Sequence, residues 1–495
     1  MIELDGNALT LDQARRIVLE AEPVTLSEAA RLRVRTGAQV VEEIVSEGRP
    51  VYGINTGFGY LSKRPIARDD LALSQRNIIL SHAAGVGDLA PEEVVRAMLL
   101  FRINSLAKGN SGIRAATIEY LVDLLNNRVH PIVPLQGSVG SSGDLAPLAH
   151  MALVLLGEGE AMHDGERIDG REALSVIDRE PLALAPKEGL ALLNGTQFMS
   201  ALSFFVYLRG QRLLDSAIAA ASLSLEALRG FSAPFQRILH INRPHPGQMT
   251  VAERIKGLID GSSLVDSTTD DVQDAYSLRC IPQVLGPAME AISFLAEKLR
   301  IEINSVTDNP LVFADGSVLS GGNFHGEILG LALEMAGMAL AEVGNIAERR
   351  IDRLLTSTDR GLPLFLVEDG GVNSGLMLVQ YTAAALVSEN KVLCHPAYVD
   401  SIPTSGGKED HNSLAPISAR KALRIIDNLE RIVAIEFLSA AQGIDFQGPG
   451  GLAPATSLLY ERVRGIVPHA DRDMYVAREI ERLAQAVRAG DLVDG

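Results

Sequence analysis

Between Gly137 and His150 the chain reads Gly-Ser-Val-Gly-Ser-Ser-Gly-Asp-Leu-Ala-Pro-Leu-Ala-His. Its centre, Ser141-Ser142-Gly143, has the residue types for a covalent rearrangement of the backbone. The amide nitrogen of Gly143 can attack the carbonyl carbon of Ser141. Loss of two waters, one of them carrying away the Ser142 hydroxyl, then leaves a five-membered ring with an exocyclic methylidene. Such a ring is an electrophile made from the chain itself. Glycine is required in third place, because a side chain would hinder its nitrogen and block the tight turn. A bare Ser-Ser-Gly is ordinarily a loop before a helix, so the surrounding residues decide between the two readings.

A reactive loop needs elements that hold it. The pattern after it predicts a helix over residues 145–156, with Pro147 in the first turn and Gly157 as its stop. Ser142 then lies just before a helix N-terminus, whose partial positive charge favours electron density on a ring formed there. Upstream, residues 11–21, 26–46, 92–105 and 113–127 show helical periodicity, with a Gly-rich loop over 51–60. Residues 158–186 are more polar and turn-rich, with room for a small hairpin. From about residue 196 the pattern changes to long helices, over 197–229, 282–304, 327–355, 374–394 and 415–442. Several are apolar on most faces, which predicts a bundle of helices buried among one another. Glycine-rich turns at 320–323, 370–371, 406–407 and 448–451 punctuate it, and some are expected to meet the active site. The expected fold class is mainly α. Residues 1–195 form an N-terminal mixed, loop-rich domain carrying the reactive loop, and residues 196–495 a long-helix bundle with a C-terminal helical segment.

The 495 residues suffice for a large core, and 47% hydrophobic with 22% charged residues marks a globular chain. Net charge is 45 − 62 = −17 with no long basic tract, which argues against a nucleic-acid partner or an anionic membrane surface. The most apolar stretch, 328–344, is interrupted by Glu334 and Glu342 and reads as a core helix rather than a membrane span. Two cysteines, Cys280 and Cys394, without metal-like spacing suit a reducing cytoplasm. The first residues lack a basic segment followed by an apolar run, so no secretory leader is expected. The ten histidines are scattered and form no His-x-x-x-His pair, so no metal site is expected.

Six further strings accompany the Ser-Ser-Gly loop. They are Tyr52-Gly-Ile-Asn-Thr-Gly-Phe-Gly59, Ser81-His82-Ala-Ala-Gly85 and Leu193-Asn194-Gly-Thr-Gln197. Downstream come Gln273-Asp-Ala-Tyr276-Ser-Leu-Arg279-Cys280, Ser320-Gly-Gly-Asn-Phe-His325 and Asp400-Ser-Ile-Pro-Thr-Ser405, followed by Glu409-Asp410-His411. In this order they resemble the signatures of the aromatic amino acid ammonia-lyases that carry a methylidene-imidazolone (MIO) group, nearest the histidine-specific members. The resemblance covers most of the chain. It implies an enzyme that eliminates ammonia from L-histidine to give urocanate. The electrophile is the MIO formed from Ser141, Ser142 and Gly143, with no external cofactor. Two related activities stay open: a lyase, or a 2,3-aminomutase, acting on phenylalanine or tyrosine. The resemblance also implies a cytoplasmic homotetramer whose active sites are shared between subunits.

Removing ammonia from an α-amino acid needs an electrophile to activate the amine, a base for the weakly acidic β-proton and a cation for the carboxylate. By resemblance, Tyr52 is the base. Free tyrosine titrates near pH 10, so this role calls for positive charge or donors nearby. Arg279 would clamp the carboxylate through two parallel hydrogen bonds. Tyr276, three residues earlier, would share its helix face and polarise electrophile or substrate. Asn194 would assist with carboxylate or amine, and Gln273 would bond to ring or substrate. Phe324 would wall the pocket, and Asn323 would orient the electrophile. His82 and Glu409 match the histidine-type members and suit an imidazole ring. Asp144 is equally well placed as a helix N-cap or a catalytic group.

The chain departs from the family pattern twice. Ser141 stands where the family usually has Ala; only its carbonyl enters the ring, so its side chain should be tolerated. Gly407-Lys408 stands where the family commonly has Asn-Gln, and Lys408 is expected to ion-pair with Glu409 and lower its pKa. This second departure bears on the choice of substrate more than on the reaction. Fumarase-like lyases also use long helical bundles, but their Gly-Ser-Ser-x-Met-Pro type loop is absent.

Overall fold

The computed structural model describes residues 1–268 and 271–493. It is mainly α, with long helices at Gln197–Ala227, Ile281–Glu302, Glu327–Thr356, Met377–Leu393 and Ala415–Gln447. All five coincide with the stretches whose apolar periodicity predicted them. Among the described residues no helix is long and apolar enough to cross a membrane.

The chain forms two compact units, each assembled from three segments. The first comprises Met1–Phe205, Ala296–Leu333 and Ala397–Arg420; the second comprises Val206–Leu295, Glu334–Pro396 and the residues from Lys421 on. Both units are therefore discontinuous in sequence, unlike the contiguous division at residue 195.

In the first unit the core is the helix Glu92–Leu106, buried on every face from Val94 onward, including Arg102 and Asn104. Short sheets lie at its margins. Ile2–Leu4 pairs in parallel with Val24–Leu26, and Val86–Leu89 pairs antiparallel with Pro134–Gln136. The turn-rich stretch after residue 158 forms the hairpin Glu160–His163 with Glu166–Asp169. Its two turn residues, Asp164 and Gly165, both have positive φ (49° and 80°), as a tight two-residue hairpin turn requires. The helix after the reactive loop runs over Leu145–Leu153 and continues as a 3-10 turn, Val154–Leu156. It stops at Gly157, whose φ of 70° a side chain would disfavour.

One helix of the first unit, Leu71–His82, is absent from the sequence reading. Its buried stripe is Leu71, Gln75, Ile78 and Ile79, so a polar residue interrupts the apolar period. Gln75 is buried because its Oε1 accepts from the amides of Gly189 (3.0 Å) and Leu190 (3.3 Å), satisfying the start of the helix Glu188–Leu193.

In the second unit the helices are tied by ion pairs, one of them fully buried. Arg350 and Glu436 have no exposed side-chain surface and meet through two hydrogen bonds of 2.5 and 2.9 Å. Arg209 bridges Asp427 and Glu430. Two shorter helices, Pro454–Ile466 and Val476–Ala489, complete the C-terminal region.

Candidate active site

The reactive tripeptide is held from behind by the turn before the helix Gln197–Ala227. Gly143 adopts φ 72°, and a Cβ placed on it would lie 2.2 Å from the carbonyl oxygen of Gly195. Only glycine can therefore occupy the third position, for backbone geometry and for space. The Asp144 amide donates to the same Gly195 oxygen at 2.7 Å. Asp144 itself is fully buried. Its Oδ2 accepts from the Met199 amide (2.9 Å) and its Oδ1 from the Ser138 hydroxyl (3.1 Å). Burial pushes its pKa up to about 7 against these bonds. Asp144 thus clamps the loop to the next helix and makes no side-chain cap of its own helix. On the other side, Ser413 donates its hydroxyl to the Gly140 carbonyl at 3.2 Å. The Ser141 hydroxyl makes no hydrogen bond among the described residues.

Ser142 lines a cavity of about 860 Å³ formed wholly by residues of the first unit. Its hydroxyl donates to Glu409 Oε1 at 3.1 Å, and Thr404 donates to Glu409 Oε2 at 3.1 Å. A third position that admits only glycine and a backbone clamped on both sides suit cyclisation of residues 141–143. Lys408 lines the same cavity but forms no ion pair with Glu409 among the described residues. The expected Lys408–Glu409 pair is thus not made. Both carboxylate oxygens are already engaged by hydroxyls, and Lys408 sits on an exposed turn.

Tyr52, His82, Asn194 and Phe324 line this cavity as well. The Tyr52 hydroxyl accepts from the Gly59 amide at 3.3 Å. Burial raises its pKa; the Gly59 bond opposes this, while Glu409 and Asp308 add to it. The single donor does not supply the lowering that a phenolate base needs. His82 meets the Ser81 hydroxyl through Nδ1 at 3.0 Å. Burial lowers its pKa in spite of Glu409, so it is neutral at pH 7. Asn323 is exposed and does not line the cavity, while its neighbour Phe324 does.

Behind Asn194 lies a polar network with no counterpart in the sequence reading. Asn194 Nδ2 donates to Asp308 Oδ1 (3.3 Å) and to the Asn309 carbonyl (3.0 Å). Asp308 Oδ2 accepts from Lys187 Nζ at 2.7 Å, and neither side chain has exposed surface. The Asn194 carbonyl accepts from buried Arg102 at 2.9 Å. Burial lowers the Arg102 pKa to about 10, against the pull of Asp308. Asn309 and Ser320 join the cavity wall. The turn Asp308-Asn309-Pro310 was the available signal for this network, and it reads as an ordinary loop.

Gln273, Tyr276 and Arg279 belong to the second unit and do not line this cavity. Tyr276 and Arg279 do share a face of the short helix Tyr276–Arg279. The guanidinium carbon lies 4.5 Å from the Tyr276 ring centroid. The segment is firmly held. Buried Asp274 accepts from the Phe231 amide at 2.6 Å, and Arg350 donates to the Ser277 carbonyl at 3.3 Å. Gln273 is exposed and Tyr276 is 70% exposed.

The histidines are less scattered in space than along the chain. His325 Nε2 lies 3.4 Å from His411 Nδ1, and Glu327 Oε2 lies 3.9 Å from His325 Nδ1. The three have the donor types of a metal site. The contact between the two rings is itself a hydrogen bond.

The profile of the aromatic amino acid lyase family matches residues 9–465. A histidine ammonia-lyase of Gloeobacter violaceus is 49% identical over 495 residues, covering 99% of this chain and 96% of its own. Among solved structures, a histidine ammonia-lyase from Trypanosoma cruzi is 42% identical with a TM-score of 0.92, covering 99% of this chain and 94% of that one. A tyrosine aminomutase from Streptomyces globisporus is 38% identical with a TM-score of 0.94, covering 99% and 97%.

Proposed function

The chain belongs to the aromatic amino acid lyase family, and from that premise we propose that it is a carbon–nitrogen lyase removing ammonia from L-histidine to give urocanate. The observation that carries this reading is the pairing of the Ser142 hydroxyl with Glu409 in a cavity that His82 also lines. An acceptor carboxylate and a neutral imidazole suit a substrate ring that carries both an N–H and a ring-nitrogen acceptor.

Residues 141–143 would supply the MIO, an electrophilic methylidene carbon that takes up the substrate amine and makes its nitrogen a better leaving group. Glu409 accepts a hydrogen bond from the Ser142 hydroxyl in the uncyclised chain, and Gly195 and Asp144 hold the backbone where cyclisation needs it. Tyr52 takes the β-proton onto its hydroxyl oxygen, which requires a lower pKa than this single chain gives it. A cation and donors from elsewhere in an oligomer would provide that. Phe324 covers the cavity and excludes water, which strengthens the dipoles inside.

We assign Gln273, Tyr276 and Arg279 to the cavity of a neighbouring subunit in a homotetramer. The exposure of Gln273 and Tyr276 on an anchored segment supports this, as does the absence of all three from the cavity that holds Ser142. Arg279 would clamp the substrate carboxylate and lower the Tyr52 pKa of that neighbour. Co-expression of Tyr52→Phe with Arg279→Met chains should then restore activity that neither variant has alone. A failure to complement would contradict shared sites.

A second reading is a lyase or 2,3-aminomutase for phenylalanine or tyrosine. The likeness to the tyrosine aminomutase and Lys408 in the cavity favour it. Initial rates on histidine, phenylalanine and tyrosine, with products identified, decide between the two. Urocanate from histidine alone supports the first, and turnover of the other substrates or a β-amino acid product overturns it.

A further inference from the structure

The amide of Asn194 has only one orientation open to it. Its –NH2 end faces an Asp308 carboxylate oxygen at 3.3 Å and the Asn309 carbonyl at 3.0 Å, and neither group can donate. The end that faces them must be the donor end, whatever the substrate. Asp308 is fixed in turn. Its Oδ2 takes the Lys187 ammonium at 2.7 Å, and its Oδ1 takes the Asn309 amide at 2.7 Å. Neither Lys187 nor Asp308 has side-chain surface in contact with solvent. Arg102, bonded to the Asn194 carbonyl at 2.9 Å, holds the backbone of the same residue. The opposite end of the amide, Oδ1, is buried and has no hydrogen-bond partner, although Asn194 lines the cavity that holds Ser142. A buried acceptor without a partner is costly, so a donor is expected to meet it in the working state.

We propose that Asp308, backed by Lys187, is a positioning residue that fixes Asn194 as a hydrogen-bond acceptor for the amine of the substrate, and not as a donor to its carboxylate. This deepens the reading of the site as an amino acid ammonia-lyase and rests on it. The sequence left both roles of Asn194 open, and the network removes one. With its donors committed to Asp308 and Asn309, Asn194 has only an oxygen to offer, and a carboxylate offers no proton to an oxygen. The α-ammonium or amine does. Asn194 therefore helps to hold the nitrogen that is to leave, and the carboxylate depends on other residues.

The test uses two ligands that each keep one half of the amino acid head. L-Histidinol has the amine and no carboxylate, and imidazolylpropionate has the carboxylate and no amine. Binding of each is measured by titration calorimetry on the native enzyme, Asn194→Ala, Asp308→Asn and the double variant Lys187→Met/Asp308→Leu, which leaves Asn194 no acceptor at 308. The double variant removes both buried charges together and keeps the test available should the single one fail to fold. All three variants are expected to weaken L-histidinol about tenfold and to leave imidazolylpropionate within about twofold, because one hydrogen bond of about 1.4 kcal/mol is tenfold in affinity. Weakening of imidazolylpropionate with L-histidinol unchanged would overturn the assignment. Equal losses or no change for both ligands would also overturn it, reducing Asp308 to a structural role. Turnover by the native enzyme separates this from the choice of substrate. If phenylalanine or tyrosine is the substrate, the matching amino alcohol and arylpropionate replace the pair and the same outcomes apply.

Discussion

Asn194 and Tyr52 line one cavity from two kinds of wall. Asn194 is 2% exposed and rests on buried Asp308, itself paired with buried Lys187, while buried Arg102 holds its carbonyl. Tyr52 stands on a loop whose hydroxyl contact is a single 3.3 Å bond from Gly59, beside Tyr60 at 69% exposure and the exposed turn 405–408. The first wall has its donors and acceptors assigned before any substrate arrives. The second presents groups whose protonation and partners are still open. Orientation is thus built into the buried core, and the tyrosine proposed as the base stands on a loop that other groups can reach. Substitutions in the first wall should reach stability and activity together, and substitutions in the second should reach activity alone.

The largest separation is expected at Tyr52. Tyr52→Phe should lower kcat by about 10²–10⁴-fold, the range for a lost general base, with Tm nearly unchanged. The native rate should rise with pH as the Tyr52 hydroxyl loses its proton, and the residual rate of the variant should lose that rise. A large fall in Tm would remove the distinction between the walls. Asp308→Asn probes the other wall. It leaves the Lys187 ammonium buried without its anion, and should cost about 3–5 kcal/mol in denaturant unfolding. A cost within the range of surface substitutions would show that the network is not as closed as its burial indicates. His82→Leu should raise KM for histidine about tenfold, the loss of one hydrogen bond to the ring, with kcat little changed. An unchanged KM would take His82 out of ring recognition.

A pH-dependent effect is expected at the clamp between the walls. Burial raises the Asp144 pKa to about 7, above its ordinary value of 3.8. The folded state therefore holds this proton more tightly than the unfolded chain does. The stability this contributes is full below pH 3.8 and is lost as pH rises through about 7. Against Asp144→Asn, the native Tm should fall between these limits and run parallel above them. Curves parallel throughout would mean that Asp144 is ionised in the fold at all these pH values.

The long helices were legible because apolar residues recur with the helical period over many turns, as in Glu327–Thr356 and Ala415–Gln447. The helix Leu71–His82, which carries His82, was not, because Gln75 occupies its buried stripe to satisfy another helix start. The reactive loop was legible from residue types, since no residue but glycine fits at 143. Its clamps were not. Lys187 and Asp308 are charged residues that read as solvent-facing until the fold buries them against each other over 121 positions of sequence. Arg102 sits inside a stretch that reads simply as a helix, and from Val94 onward every face of that helix is buried. Arg279 and Tyr276 were legible as a pair on one helix face, and their separation from the Ser142 cavity was not. Periodicity reports which face is covered, and carries no record of what covers it.

Whether residues 141–143 become the electrophile is decided by the mass of the intact native chain set against that of Ser142→Ala. The native chain should be lighter than its sequence mass by two waters, and Ser142→Ala should match its own sequence mass and form no urocanate from histidine. A native chain at full sequence mass that still releases urocanate would contradict the claim.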